Sequence, residues 1–280
     1  MRKNRYNLVT PVLKWVGGKR QLLPEIRKYI PQNISIYYEP FVGGGAVLFD
    51  LQPTKAVIND VNQELINLYE VIKNDVESLI SELRQFKNEE EFFYDVRGWD
   101  RDSDKYKSLT NVERAARIHY LNKTCYNGLF RVNSSGEFNT PFGRYKNPNI
   151  TNEVTFRAVS KYFNNADVSF LNSDFEKAVK EIRKGAFVYF DPPYDPVSNS
   201  ANFTGYAEGG FNRDEQMRLK TLCDELNNKG IKFMLSNSST EFIRDIYKEY
   251  KLITLKANRS INSNANGRGE IDEVLVMNYE

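Results

Sequence analysis

Five consecutive apolar residues, Ala186-Phe187-Val188-Tyr189-Phe190, run directly into Asp191-Pro192-Pro193-Tyr194. An apolar run of this length ended by a turn signal predicts a short buried strand. Each proline fixes φ and removes a backbone donor, so a ladder cannot continue through the pair. A carboxylate, rigid carbonyls and an aromatic ring are therefore expected together at the C-terminal end of a strand. In open α/β sheets that end is where ligands bind. The arrangement suits a planar substrate bearing an amino group: carboxylate and proline-locked carbonyl accept its two N–H bonds, and the ring stacks on its face. An ordinary strand-to-loop turn accounts for the same four residues, since Asp and Pro are common in turns. The rest of the chain decides between these readings.

Further strands read at Ser35–Pro40, Ala56–Asn59, Asp167–Leu171 and Lys232–Ser236. Helices read over Phe175–Arg183 and from Arg213 to Lys229, where Gly230 serves as the C-terminal cap. Alternating strands and helices predict a doubly wound α/β core. The runs Leu252–Leu255 and Glu273–Met277 flank the polar loop Asn258–Gly269 and predict an antiparallel edge. The alternation is interrupted by a mostly helical stretch from Glu64 to Tyr126. After it, Arg131–Phe138 reads as a β-hairpin with Ser135-Gly136 near its turn. We therefore read a core over 1–62 and 162–280, with an inserted helical and hairpin subdomain over 63–161.

Composition narrows the function mainly by exclusion. The chain has 280 residues, 40% hydrophobic and 27% charged, with no apolar segment near the roughly 18 residues of a membrane span. The basic start, Met1 to Asn7, lacks the apolar region of a secretory signal. Two cysteines make no disulfide framework and fit a reducing cytoplasm. One histidine and two isolated cysteines give no zinc-ligand spacing, so no metal is expected and a zinc deaminase is disfavoured. The net charge of +2 says little, but its distribution is uneven. Residues 70–107 carry seven Lys/Arg against eleven Asp/Glu, whereas 126–161 carry five against two. The basic part interleaves Tyr126, Phe130, Phe138, Phe142 and Tyr145, a pattern that points to nucleic acid.

Phe41-Val42-Gly43-Gly44-Gly45-Ala46 reads as strand, glycine turn and helix. A dinucleotide site needs a further glycine three residues on, for close helix–strand packing. Leu48 stands there instead. Asp60 ends the next strand, where an acid that binds ribose hydroxyls belongs. A nucleoside ligand without pyrophosphate, such as S-adenosylmethionine, satisfies both observations; a turn that merely permits tight packing is the alternative. In Lys14-Trp15-Val16-Gly17-Gly18-Lys19, Trp15 is either a core aromatic beside a simple turn or one wall of that ligand's methionine end. On the second reading Lys19 meets its carboxylate.

Taken in order, these segments resemble the Dam-class DNA adenine-N6 methyltransferases of the GATC type (the D12 class). The matching residues are Lys14 to Lys19, Glu39 to Gly45, Asn59 to Asn62, Tyr126 to Arg131 and Gly136 to Tyr145, then Asp191 to Tyr194, Asn202 to Tyr206 and Leu235 to Asn237. The resemblance spans Lys14 to Tyr279. It implies a Rossmann-like methyltransferase core with a mixed twisted sheet and an inserted DNA-recognition subdomain. It places Trp15, Lys19, Phe41, Gly43, Gly45, Asp60, Asp174 and Asp191 at S-adenosylmethionine, and Asp191, Pro192 and Tyr194 in catalysis. It places Tyr126, Asn127, Leu129, Arg131, Pro141 and Arg144 on double-stranded DNA. Arg131 would read a guanine, a role that suits the bidentate pairing of Arg with G O6 and N7. The implied protein is a cytoplasmic monomer that methylates adenine within GATC, either beside a restriction enzyme or alone.

The chemistry follows from the tetrapeptide. An adenine N6 inside the stack is out of reach, so the base must flip out. Tyr194 then stacks on it, Phe203 or Tyr206 completes the pocket, and Asp191 and the Pro192 carbonyl accept the N6 hydrogens. Two rivals share some of these features: a methyltransferase acting on RNA or a protein amide, and a DNA-binding protein that has lost catalysis. The basic, aromatic insertion favours duplex DNA over the first, and Asp191 with the glycine turn argues against the second.

Overall fold

Strand pairing stops where the prolines begin. The computed structural model describes residues 7–15, 17–197, 210–258 and 270–280. Among these the strands are β1 Tyr37–Glu39, β2 Lys55–Asn59, β3 Asp167–Leu171, β4 Phe187–Phe190, β5 Lys232–Ser238, β6 Lys251–Asn258 and β7 Glu270–Met277. The chain divides into two units. One comprises Met1–Gly18, Gly43–Thr54 and Asp60–Asn172, and the other Lys19–Val42, Lys55–Asn59 and Ser173–Glu280. We call them the first and second units.

The second unit holds six strands in the order β2-β1-β4-β5-β7-β6. The first four run parallel, with Tyr37 opposite Ala56 and Phe187, and Phe187 opposite Lys232. β7 then runs antiparallel to both neighbours, with Leu235 opposite Val276 and Ile253 opposite Leu275. All four residues of β4 are buried, as expected of an inner parallel strand covered on both faces. Alternate residues Val188 and Phe190, Phe233 and Leu235, Val274 and Val276 enter one apolar core. The helix Arg213–Asn228 adds Leu219, Leu222, Cys223 and Leu226 to it. Burying side chains of this size contributes on the order of 1.5–3 kcal/mol each.

The helix Arg213–Asn228 has legible ends. The Asn212 side chain accepts from the Asp214 and Glu215 amides at 3.0 and 3.1 Å, and acids fill the first turn, where the helix dipole favours them. At the other end Gly230 has φ +67°. The Ile231 amide donates to the Leu226 carbonyl and the Gly230 amide to that of Asn227, both at 2.9 Å. That pair of bonds closes the helix. Two elements are shorter than the sequence suggests. β1 covers only Tyr37–Glu39, and the helix expected to reach Arg183 ends at Ala178. Beyond it, amide bonds link residues three apart, Lys180 to Lys177 and Ile182 to Val179, so the chain tightens into turns.

In the first unit the helical stretch expected from Glu64 to Tyr126 consists mainly of Gln63–Asn74, Val76–Leu83, Glu90–Gly98, Ser103–Ser108 and Asn111–Thr124. Short polar residues break it, because their side chains satisfy the free amides of a new first turn. Asp102 accepts from Asp104 and Lys105, and Thr110 forms a reciprocal box with Glu113. Tyr69, Phe93, Tyr120, Phe156 and Phe163 fill the core. His119 lies among them with its ring 4.6 Å from that of Phe156, and burial pushes its pKa well below the usual value. The expected hairpin over Arg131–Phe138 forms as a short antiparallel bridge, Val132 to Phe138, flanked by bonds from the Asn133 amide to the Glu137 carbonyl and from the Asn139 amide to the Arg131 carbonyl, both at 2.9 Å. The Asn133 side chain takes the Ser135 and Glu137 amides at 3.0 and 2.9 Å. Side chain and backbone together close this turn.

Candidate active site

The corner after β4 brings a buried lysine against a carboxylate in the second unit. Lys19 Nζ lies 2.8 Å from Asp191 Oδ1, with the lysine side chain 3% exposed and the aspartate 21%. The same ammonium stands 4.7 Å from the centroid of the Tyr194 ring. The Tyr194 hydroxyl donates to Glu273 Oε2 at 2.7 Å. Burial pushes the Asp191 carboxyl up to about 6 against the opposing pull of Lys19, and Glu273 adds to the rise. Burial, with the nearby Asp191 and Glu273 charges, holds the Tyr194 phenol well above its usual value, so it remains a donor.

A buried polar network fixes the residues that follow. Gln216 Nε2 donates to the Pro193 carbonyl at 2.9 Å, and Asn237 Nδ2 donates to Gln216 Oε1 at 3.0 Å. Asn237 Oδ1 in turn accepts from the Asp195 amide at 3.1 Å. The Asp195 side chain is 1% exposed and holds Arg213 at 3.2 Å and the Thr240 hydroxyl at 2.7 Å. With the Pro193 carbonyl so engaged, the Pro192 carbonyl has no hydrogen-bond donor among the described residues. The sequence did not single out Glu273, Gln216, Asn237 or Asp195 as site residues. Glu273 carries one legible signal: it is the charge directly before the apolar run Val274–Met277.

Phe41 packs its ring 5.3 Å from that of Phe175 and 5.6 Å from that of Phe211. Asp174 caps the helix Phe175–Ala178 through the Glu176 amide at 3.0 Å. Both of its oxygens also accept from Arg218 at 3.1 Å. Its carboxylate is thus engaged within the protein, and its carbonyl accepts from the Ala178 amide at 3.2 Å. Asn59, buried at the end of β2, ties the Pro40 and Ser173 carbonyls together at 2.9 Å each.

In the first unit the glycine turn is closed by Asp60. Its two oxygens accept from the Gly43 amide at 3.0 Å and the Asn62 amide at 2.9 Å. Burial raises the Asp60 carboxyl, while the amide bonds act in the opposite direction. Gly43 and Gly45 have φ of +47° and +68°, a region that L side chains rarely adopt. A Cβ on Gly43 would stand 2.7 Å from Trp15 Cδ1, and one on Gly45 2.8 Å from Phe49 Cε2. Trp15 therefore lies against the turn, and its ring stacks on that of Phe130 at 5.1 Å and 21°.

The residues assigned to DNA lie on a neighbouring stretch of this unit. Tyr126 is 57% exposed. Its amide donates to the Pro141 carbonyl at 2.8 Å. Asn127 sits at φ +55°. The Leu129 carbonyl accepts from Thr140 at 2.6 Å. Arg131 Nε donates to Asn139 Oδ1 at 2.5 Å, and Nη2 to the Asn139 carbonyl at 3.2 Å. Arg144 is exposed and reaches Glu90 at 2.9 Å. Asn122, which the sequence did not flag, binds both Lys14 backbone groups and the Gly128 carbonyl at 2.7–3.0 Å. Phe203, Tyr206 and the loop Ser260–Gly269 lie outside the described residues, as does Val16.

Parallel strands closed by an antiparallel β7, with an acid–proline–proline–aromatic corner after β4, have the architecture of a Rossmann-like methyltransferase. The chain belongs to the D12 class N6 adenine-specific DNA methyltransferase family, whose model matches residues 15–261. It is 46% identical over 281 residues to the Type II methyltransferase M1.LlaDCHI of Lactococcus lactis subsp. cremoris, covering 100% of this chain and 98% of that protein. It is 44% identical to the Type II methyltransferase M.MjaIII of Methanocaldococcus jannaschii, covering 97% and 99%. Against the DNA adenine methylase of Escherichia coli K12 the identity is 34%, covering 99% and 96%. The protein is thus an enzyme that methylates adenine N6 in DNA. Among the described residues no helix is long and apolar enough to cross a membrane, and no three acidic, Cys or His side chains group as metal ligands.

Proposed function

We propose that this enzyme takes its methyl group from S-adenosylmethionine and methylates a flipped adenine in double-stranded DNA, within GATC. The observation that carries this reading is the corner itself: Asp191 at the end of β4, held by Lys19 at 2.8 Å, beside the Tyr194 ring. The core over 1–62 and 162–280 carries cofactor and chemistry, and 63–161 carries recognition. The protein acts as a cytoplasmic monomer, with or without a restriction partner.

The residues present suit that cofactor. The Gly43–Gly45 turn brings no side chain of its own, Asp60 offers the kind of carboxylate to which ribose hydroxyls donate, and Trp15 and Phe41 offer aromatic faces. Lys19, Asp174 and Asp191 are the other residues proposed for it. When bound, the cofactor supplies an electrophilic methyl group on a sulfonium.

The chain's own residues prepare the adenine. Asp191 and the Pro192 carbonyl accept the two N6 hydrogens, which turns the nitrogen lone pair out of the ring plane. The carboxylate then stabilises positive charge that develops on N6. The proton lost from N6 needs no strong base, because the N6 cation is acidic. Tyr194 carries Lys19 over one face of its ring, so the base stacks on the other. Tyr126, Asn127, Leu129, Arg131, Pro141 and Arg144 hold the duplex, with Arg131 on a guanine. To test this, plasmid DNA is incubated with the enzyme and S-adenosylmethionine, then digested with nucleases that cut only methylated or only unmethylated GATC. Conversion from the second cleavage to the first is expected. Unchanged digestion with methyl transfer elsewhere would overturn GATC, and no transfer at all would overturn the cofactor.

A further inference from the structure

We infer that Glu273 is a positioning residue for methyl transfer: it anchors the Tyr194 hydroxyl and so sets the plane in which the target base stacks. This rests on the reading above, in which Tyr194 is the stacking ring.

The hydroxyl lies on the long axis of the ring. A bond of 2.7 Å from it to Glu273 Oε2 therefore fixes where that axis points. The Lys19 ammonium, 4.7 Å from the centroid, fixes which face is taken. Glu273 is itself well placed to act as an anchor. It sits on β7 opposite Ser238 of β5 and opposite Leu255 of β6, so strands on both sides hold its backbone. The Ser238 hydroxyl donates to the Asp195 carbonyl at 2.6 Å, one residue beyond Tyr194. The tyrosine is thus tied to one strand pair at two points, through its own hydroxyl and through the next residue in the chain. A charged acceptor also makes the stronger bond, since hydrogen bonds to ionised groups are shorter and roughly twice as strong as neutral ones. It pushes electron density toward the phenol ring, which favours a partner that gains positive charge. The adenine gains that charge only as the N6–methyl bond forms. The contribution therefore belongs to the transition state and appears in the rate of the chemical step, with little effect on KM.

The experiment compares single-turnover methylation of a GATC duplex by wild type, Tyr194→Phe, Glu273→Gln, Glu273→Ala and the double variant Tyr194→Phe/Glu273→Ala. Tyr194→Ala serves as the control for the stacking reading, and thermal midpoints report folding. Glu273→Ala is expected to slow the chemical step about tenfold, within the roughly hundredfold that a 1 Å misplacement can cost. KM for DNA should hardly move. Glu273→Gln, which keeps an acceptor, should recover most of the rate. The double variant should be no slower than the slower single one, as expected when both changes break one interaction. Wild-type rates for Glu273→Ala with Tyr194→Ala inactive would overturn the role of Glu273 alone. Multiplying effects in the double variant, or failure of Glu273→Gln to rescue, would do the same. An active Tyr194→Ala would overturn the stacking reading beneath it.

Discussion

Lys19 Nζ and Asp191 Oδ1 are 2.8 Å apart, and the lysine side chain is 3% exposed. The catalytic carboxylate candidate thus carries a buried counter-ion, yet burial still pushes its pKa up to about 6, with Tyr194 and Lys19 lowering it and Glu273 raising it. Burial, and next the Asp191 charge, hold the Tyr189 phenol well above its usual value. The ionised form accepts both an N6 hydrogen and a Lys19 proton in charge-assisted bonds, roughly twice as strong as neutral ones. The rate at low DNA concentration should therefore rise with pH and level off above about 6, since that limb reports the free enzyme. Replacing Lys19 with Met should move the limb upward, and Glu273→Gln should move it downward. A profile flat from about pH 5 to 7 would show that the charge of Asp191 does not matter.

Asp191→Ala should abolish methylation without unfolding the chain. It also removes the 2.8 Å carboxylate partner of a buried lysine. Stability should fall by about 1.5–3 kcal/mol, the usual worth of a hydrogen bond to a charged group. Urea denaturation beside the activity assay separates the two effects, and Lys19→Met/Asp191→Ala should regain stability but no activity.

Gln216 bridges the Pro193 carbonyl and Asn237 at 2.9 and 3.0 Å. Gln216→Leu should leave the buried Asn237 amide and the half-buried Pro193 carbonyl without this partner, costing about 1–3 kcal/mol. The corner after β4 would lose its support, so the chemical step should slow even where the variant is fully folded. Single-turnover rates at a temperature well below its midpoint check this.

Arg131→Ala should weaken discrimination at one guanine by about 1–3 kcal/mol, the worth of a bidentate pair. Asn139 holds the Arg131 Nε at 2.5 Å, so Asn139→Ala should relax the same position by a smaller amount. Competition between GATC duplexes altered one base pair at a time measures both. A uniform loss over every sequence would make Arg131 a phosphate contact instead.

Gly45→Ala should cost more than about 1 kcal/mol, because the native φ of +68° opposes any Cβ. The added carbon would also meet Phe49 at 2.8 Å. A lower thermal midpoint and weaker S-adenosylmethionine binding by calorimetry are expected, since the turn is where the cofactor is proposed to lie.

Much of the sheet was legible because apolar runs and turn residues are local signals. The buried β4, its proline stop, the capped helix Arg213–Asn228 and the antiparallel close of β6 and β7 all follow from neighbouring residues. The Arg131–Phe138 hairpin was legible too, since the Val132 to Phe138 bridge forms there; what its pattern does not say is that the Asn133 side chain also takes the Ser135 and Glu137 amides.

By itself the sequence determined the family and most of the elements, for each is written in short segments whose order can be read along the chain. Only the tertiary structure decided partners. Lys19, read as a ligand for a cofactor carboxylate, has Asp191 as its neighbour across a separation of 172 positions in the chain. Glu273 looked like the polar start of a strand until its register on β5 brought it to the Tyr194 hydroxyl. Such pairs depend on strand order and register, which arise from the burial of whole apolar faces, and no local stretch of sequence encodes them.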